Sequence, residues 1–103
     1  MKILYHPKAF AFVHELDDLL GPRVRRVIRL LEERGHELRM PVSKSIGGGL
    51  FELRIVGAIH VRLLFFFHDG YAVVAHAFSK KTETLSRSDI AYAQAVRRAY
   101  LAG

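Results

Sequence analysis

Residues 47–83 read GGGLFELRIVGAIHVRLLFFFHDGYAVVAHAFSKKTE, and the reading of this stretch decides the fold. Three apolar runs follow one another with turn residues between them. In Phe51–Val56 the odd positions Phe51, Leu53 and Ile55 alternate with Glu52 and Arg54, the period-2 pattern of a strand with one buried face. In Ile59–His68 the odd positions are all apolar, and the even ones are His60, Arg62, Leu64, Phe66 and His68. Asp69-Gly70 is a two-residue hairpin signal. Tyr71–Phe78 is then the third strand of an antiparallel meander, and Ser79-Lys80-Lys81-Thr82 leaves its end.

Matching the apolar faces fixes a register. Phe51, Leu53 and Ile55 must lie opposite Phe65, Leu63 and Val61, which demands an odd-length connection such as Gly57-Ala58-Ile59 with a bulge. A one-residue slip would carry Arg54 onto the core face. In the favoured register Arg54 faces Arg62, and like charges directly opposite each other destabilise a sheet. Such a pair is easier to retain if an anion sits between the two guanidinium groups, so this position is the candidate phosphate site. The face of His76 depends on the turn: a plain two-residue Asp69-Gly70 loop points it to the core side, whereas a bulge turns it out.

Outward from the meander, Lys2–Tyr5 (KILY) reads as a first strand and Pro7 suits the first turn of a helix. Phe10, Val13, Leu16 and Leu20 recur at helical spacing, and Gly21-Pro22 breaks that helix and opens a second. The second carries Val24, Val27, Ile28 and Leu31 on one face and ends near Gly35. Arg23, Arg25, Arg26 and Arg29 crowd its first half, against the macrodipole; they are either kept for a partner or simply tolerated by the surface. Residues His36 to Ser45 read as irregular. Gly47-Gly48-Gly49 is a turn, without the GK[ST] ending of a phosphate loop or the spacing of a dinucleotide fingerprint. Ser86 with Asp89 resembles a capping box for a last amphipathic helix through Ile90, Ala93, Val96 and Tyr100, with Arg97 and Arg98 near its end. The expected architecture is one α+β domain over residues 1–103: an N-terminal strand, a helical hairpin, an antiparallel meander sheet and a C-terminal helix.

Sixteen Lys and Arg against ten Asp and Glu give a net charge of +6 and a pI near 10.1. A chain this basic either attracts an anionic partner, nucleic acid foremost, or carries a solvated surface that keeps it soluble. With no cysteine, disulfide and thiol chemistry are excluded. No apolar run reaches the roughly 18 residues of a membrane span, and the start of the chain lacks a signal-peptide pattern, so a soluble cytoplasmic protein is expected. His60, His68 and His76 recur every eight residues, but on different strands and with no acidic residue in ligand spacing. Neither a metal nor any other cofactor is expected.

The runs KSIGGGLFELRI, VRLLFFFHDG and HAFSKKTET, the last before a helix, resemble the RelE/ParE toxin superfamily, and within it the HigB-like, phage-derived branch. Gly49-Leu50-Phe51-Glu52-Leu53-Arg54 is similar to that branch's GLYELR pattern, Arg62 to its internal strand arginine, and Phe78-Ser79-Lys80-Lys81-Thr82 to its aromatic-x-Lys-Lys-Thr stretch. The resemblance covers residues 44 to 100, and the helical hairpin by topology only. Two departures stand out: Thr84-Leu85-Ser86 replaces a Lys-Thr-Pro, and Glu52 stands where some relatives carry a lysine. The resemblance implies a RelE-like fold and the toxin of a type II toxin–antitoxin pair, a ribosome-associated endoribonuclease (mRNA interferase). Its expected partners are mRNA, the ribosome and a cognate antitoxin, usually with a helix-turn-helix domain. The shared fold leaves a ParE-like gyrase-binding toxin without RNA chemistry as the alternative, and a non-toxic RNA-binding relative as a third.

Metal-free RNA cleavage uses the neighbouring 2′-OH as nucleophile. A base must take its proton, cations must stabilise the phosphoryl oxygens, and an acid must protonate the leaving 5′-oxygen. Arg54 and Arg62 are the expected phosphate ligands, because a guanidinium fork matches phosphate oxygens. Lys81, beside Lys80, is a candidate base or acid, as is His76. Glu52 is either a base or an arginine partner. Lys44, Arg54, Lys80 and Tyr92 are the expected RNA contacts. For Tyr92, stacking on a base competes with a place in the core or against the antitoxin.

Overall fold

The computed structural model describes residues 1–55, 60–80, 82 and 84–103. The elements run β1 (Lys2–Tyr5), α1 (Pro7–His14), α2 (Leu20–Arg34), β2 (Ser43–Gly47), β3 (Leu50–Ile55), β4 (His60–His68), β5 (Tyr71–Lys80) and α3 (Arg87–Ala102), with a short 3-10 turn at Gly35–Glu37. The fold class is the expected α+β.

The expected register is found: Phe51, Leu53 and Ile55 oppose Phe65, Leu63 and Val61, and Arg54 opposes Arg62. The Gly57-Ala58-Ile59 connection lies outside the described residues. His68 pairs with Tyr71 across a two-residue turn in which Asp69 has φ 50° and Gly70 φ 79°, the left-handed pair that lets two residues close a hairpin. Beyond the turn a bulge intervenes. Phe65 opposes Val74 but Leu64 opposes His76, so Ala75 is the extra residue. Were the pairing regular, with Ala75 opposite Leu64, His76 would oppose Leu63, on the opposite face.

The sheet is larger than the meander. Five strands lie in the order β1-β5-β4-β3-β2, and β1 runs parallel to β5. β2 falls where an irregular segment was expected. Its sequence, SKSIG, has no apolar alternation because it is an edge strand exposed along most of its length. The first helix is also shorter than its periodicity implied. It stops at His14, and Asp17 Oδ1 then accepts hydrogen bonds from the backbone N–H of Leu19 (3.0 Å) and Leu20 (2.7 Å) to start α2. Leu16 and Leu20 still reach the core from this turn, but Phe10 does not; it is 48 % exposed and stacks on His14. At the other end α3 runs on to Ala102, which leaves no basic residue in its last turn.

Helices cover both faces of the sheet. Ala9 of α1 and Val24, Ile28 and Leu31 of α2 close over Leu53, Ile55, Val61, Leu63, Phe65 and Val74. On the other face α3 lays Ala93, Ile90 and Val96 over Leu50, Leu64, Phe66 and Val73. Ser86 caps α3, its hydroxyl accepting from Asp89 N–H at 3.1 Å. The Gly47–Gly49 turn docks on the same helix. Gln94 Nε2 donates to Gly48 O at 2.9 Å, and a Cβ on Gly49, whose φ is +80°, would lie 2.8 Å from the Arg97 guanidinium. That turn is held in place rather than free.

Candidate active site

The α3 face of the sheet is apolar at one end and polar at the other. Cross-strand pairing generates two polar rows. One runs Lys44–Glu52–Leu64–His76 across β2 to β5; the other runs Arg54–Arg62–Phe78, with His60 and Lys80 opposite each other one step further along. The bulge at Ala75 is what puts His76 into the first row.

At the centre is a three-residue charge cluster. Glu52 Oε2 lies 3.3 Å from Arg62 Nε and Glu52 Oε1 lies 3.5 Å from Arg54 Nε. Glu52 and Arg54 share a face because residues two apart on a strand do; Arg62 joins them by register. The Arg62 guanidinium is completely enclosed, whereas the Arg54 side chain keeps 22 % of its surface exposed. Arg62 Nη1 donates to its neighbour's carbonyl, Val61 O, at 3.1 Å. Among the described residues, Arg62 Nε and Nη2, Arg54 Nε and Glu52 Oε2 are buried and make no well-aligned hydrogen bond. The ion pairs are close in distance but poorly aligned, so the cluster holds more hydrogen-bonding capacity than it uses. A cleft of about 580 Å³ opens beside it, lined by Lys44, Ile46, Glu52, Arg54, Leu85 and Ile90.

The second cluster joins β5 to α3. His76 Nε2 donates to Asp89 Oδ1 at 2.9 Å; Lys80 Nζ lies 3.2 Å from Asp89 Oδ2 and donates to Thr84 O at 3.0 Å; Ser86 Oγ donates to Asp89 Oδ2 at 2.6 Å. Partial burial pushes the Asp89 carboxyl up, but the hydrogen bonds from Ser86, His76 and Lys80 and the Lys80 charge outweigh it and hold Asp89 below its ordinary value. The His76 ring lies 4.7 Å from that of Tyr92 and 4.5 Å from that of Phe78.

Of the residues expected at the site, Glu52, Arg54, Arg62, His76, Lys80, Lys44 and Tyr92 all belong to this face or to the helix covering it. Lys81 lies outside the described residues. Three placements differ in kind from a simple row of ligands. Arg62 is sealed beneath Glu52, Lys80 is engaged by Asp89 and Thr84, and Tyr92 packs on His76 and edge-on against His6. Asp89 was visible in the sequence only as a helix cap. Its second role as partner of His76 and Lys80 depends on how α3 docks, which no local pattern announces. Among the described residues no three His, Asp or Glu side chains converge in a way that could hold a metal ion. A second groove, of about 570 Å³ between β1 and α3, is lined mainly by apolar residues such as Leu4, Val73 and Val96, with His6 and the tyrosines Tyr5, Tyr92 and Tyr100, and offers no Lys, Arg or carboxylate. No described helix is long and apolar enough to cross a membrane.

Comparison with curated proteins finds no match. A family description, "Phage derived protein Gp49-like (DUF891)", matches residues 11–98, which takes in the second half of α1, all of α2, α3 through Arg98 and strands β2 to β5. The chain therefore belongs to the phage-derived Gp49-like family, which is associated with RelE-like toxins.

Proposed function

We propose that this protein is the toxin of a toxin–antitoxin pair and acts as a metal-free endoribonuclease on mRNA at the ribosome, held in check by a cognate antitoxin. The observation that carries this reading is the meeting of two clusters on one sheet face. The buried Glu52–Arg54–Arg62 group adjoins His76–Lys80–Asp89, and His76 and Arg62 are diagonal cross-strand neighbours, which puts their Cα atoms about 7–8 Å apart. Arg54, the partly exposed guanidinium of the group, stands opposite Arg62 on that face, so a phosphate ligand and a proton-transfer group share one side of the sheet, as cleavage by an internal nucleophile needs. Family membership supports the toxin part of the reading.

In the proposed reaction the scissile phosphate lies against the exposed side of Arg54, with Lys44 at the rim of the cleft. Arg62 supports from behind, through its charge and by holding Glu52. The 2′-hydroxyl passes its proton to His76, the 2′-oxygen bonds to phosphorus, the P–O5′ bond breaks, and Lys81 gives a proton to the leaving oxygen. Balance of atoms makes the products a 2′,3′-cyclic phosphate and a 5′-hydroxyl end.

The test is primer extension on mRNA from a translating extract supplied with the protein. New 5′-hydroxyl ends should appear, and should fall at least about 100-fold with Arg54→Ala, His76→Ala or Lys81→Ala, the scale expected for losing a transition-state ligand or an acid–base group. Intact mRNA together with inhibited supercoiling by DNA gyrase would overturn the ribonuclease reading.

A further inference from the structure

We infer that Asp89 is the positioning residue of the site: it holds His76 with the proton on Nε2 and leaves Nδ1 as the basic atom that faces the substrate. This inference deepens the ribonuclease reading and rests on it for the identity of the proton donor.

The argument begins with what a carboxylate can do. An ionised carboxylate only accepts hydrogen bonds. Asp89 is fixed in that state by three donors, Ser86 Oγ, His76 Nε2 and Lys80 Nζ, at 2.6, 2.9 and 3.2 Å. The nitrogen facing it must therefore carry a hydrogen, and a neutral imidazole has only one to place. Nδ1 is left with the lone pair. Among the described residues it makes no hydrogen bond and is not among the buried unpartnered atoms.

The surroundings restrict the ring further. Tyr92 from α3 and Phe78 from β5 lie against it; Leu64 of β4 is opposite, Arg62 diagonal, and Glu52 two strands away in the same row. Lys80 reaches the same carboxylate, and His6 lies beyond Tyr92. The charged groups near His76 are thus one carboxylate in contact, one ammonium sharing it, and a Glu52–Arg62 pair that largely cancels at this distance. Asp89 is the charged group in contact with the ring, and it meets the ring at Nε2. The arrangement also ties acid–base chemistry to the capping of α3, since Ser86 and Asp89 start that helix.

Nuclear magnetic resonance of the ¹⁵N-labelled intact protein tests this without RNA and without any variant. In its neutral form His76 should show the nitrogen shifts of the Nε2–H tautomer; the Nδ1–H form, or an equal mixture, overturns the inference. The Asp89→Asn side chain can turn either its oxygen or its NH2 to the ring, so that protein should show both tautomers of His76, and a nitrogen pattern unchanged from the wild type also overturns it. The amide oxygen of Asn can still accept from Nε2, so folding is checked separately by a thermal melt. A wild-type protein with the expected NMR behaviour that cleaves no RNA would refute the ribonuclease reading and leave the assignment of Asp89 standing.

Discussion

Replacing Glu52 by Gln tests the centre of the site, because Glu52 is the only carboxylate within ion-pair distance of Arg54 and Arg62 among the described residues. Gln keeps the size of the side chain and removes the charge. Two costs follow. The Arg62 guanidinium, wholly enclosed, loses its counter-charge, and truncating one partner of a buried pair costs about 3–5 kcal/mol. Arg54 is partly exposed and its half of the network is screened, so it contributes about 0–1 kcal/mol. The Gln amide can still accept one hydrogen bond, which brings the expectation to the lower end, about 3 kcal/mol. A domain of this size has about 5–15 kcal/mol in total, and each kcal/mol moves the melting temperature by about 4–8 °C, so Glu52→Gln should melt about 12–24 °C lower by calorimetry. The same variant examines the anion site. At constant ionic strength, inorganic phosphate should stabilise it more than the wild type, by about 1.4 kcal/mol when phosphate is tenfold above its Kd, because in the wild type the carboxylate already sits between the guanidinium groups. A variant as stable as the wild type would refute the claim that Glu52 compensates a buried charge. A phosphate response no greater than the wild type's would refute the claim that an anion can take its place.

Asp89 lies below its ordinary pKa in the fold, so it contributes stability that is present above about pH 4 and lost as pH falls through the lower folded value; the stability gap between wild type and Asp89→Asn, read from urea melts, should be flat from pH 7 to 5 and close below pH 4. Gly49→Ala should destabilise by about 1–2 kcal/mol from its left-handed φ of +80° and more from the displaced Arg97, whereas Gly47→Ala, whose Cβ meets no other group, should cost only the φ term; equal losses in thermal melts would refute a docked turn. Deleting Ala75 removes the bulge but leaves His76 directly after Val74 and opposite Leu64, on the α3 face, so the primer-extension assay should still detect RNA cleavage; its loss from a variant that circular dichroism reports as folded would refute that pairing.

The parts of the fold legible in sequence were those carried by local periodicity. Strands β3 and β4 alternate, the apolar positions of the pair admit one register, and the structure has it. Helix α2 carries its stripe through Val24, Ile28 and Leu31, and Ser86 with Asp89 marks the start of α3. What escaped depends on non-local pairing. β2 is recognisable only by its bonds to β3, since an edge strand of SKSIG buries almost nothing. The parallel pairing of β1 with β5 joins segments nearly 70 residues apart, and no short-range pattern encodes it. The bulge is intermediate. The sequence reduced the face of His76 to a choice between plain turn and bulge, and Ala75 settled it only in three dimensions.

The arginine pair shows how far a physical argument reaches from sequence alone. Two guanidinium groups opposite each other need an anion, and that requirement holds. The anion is the chain's own. Glu52 lies two residues before Arg54 and hence on the same face, so the partner was readable from the alternation that placed the arginines. This changes what an RNA phosphate would meet. With Glu52 between them the three residues carry a net charge of +1 rather than +2, which weakens anion binding but lets Arg62 be buried in the free protein without an unpaired charge. A site built this way needs no ligand in order to fold, and it would offer an RNA phosphate the exposed edge of Arg54 rather than the full strength of both arginines. Removing the Glu52 charge should therefore move stability and phosphate affinity in opposite directions, whereas a carboxylate serving only as catalytic base would leave phosphate affinity where it was.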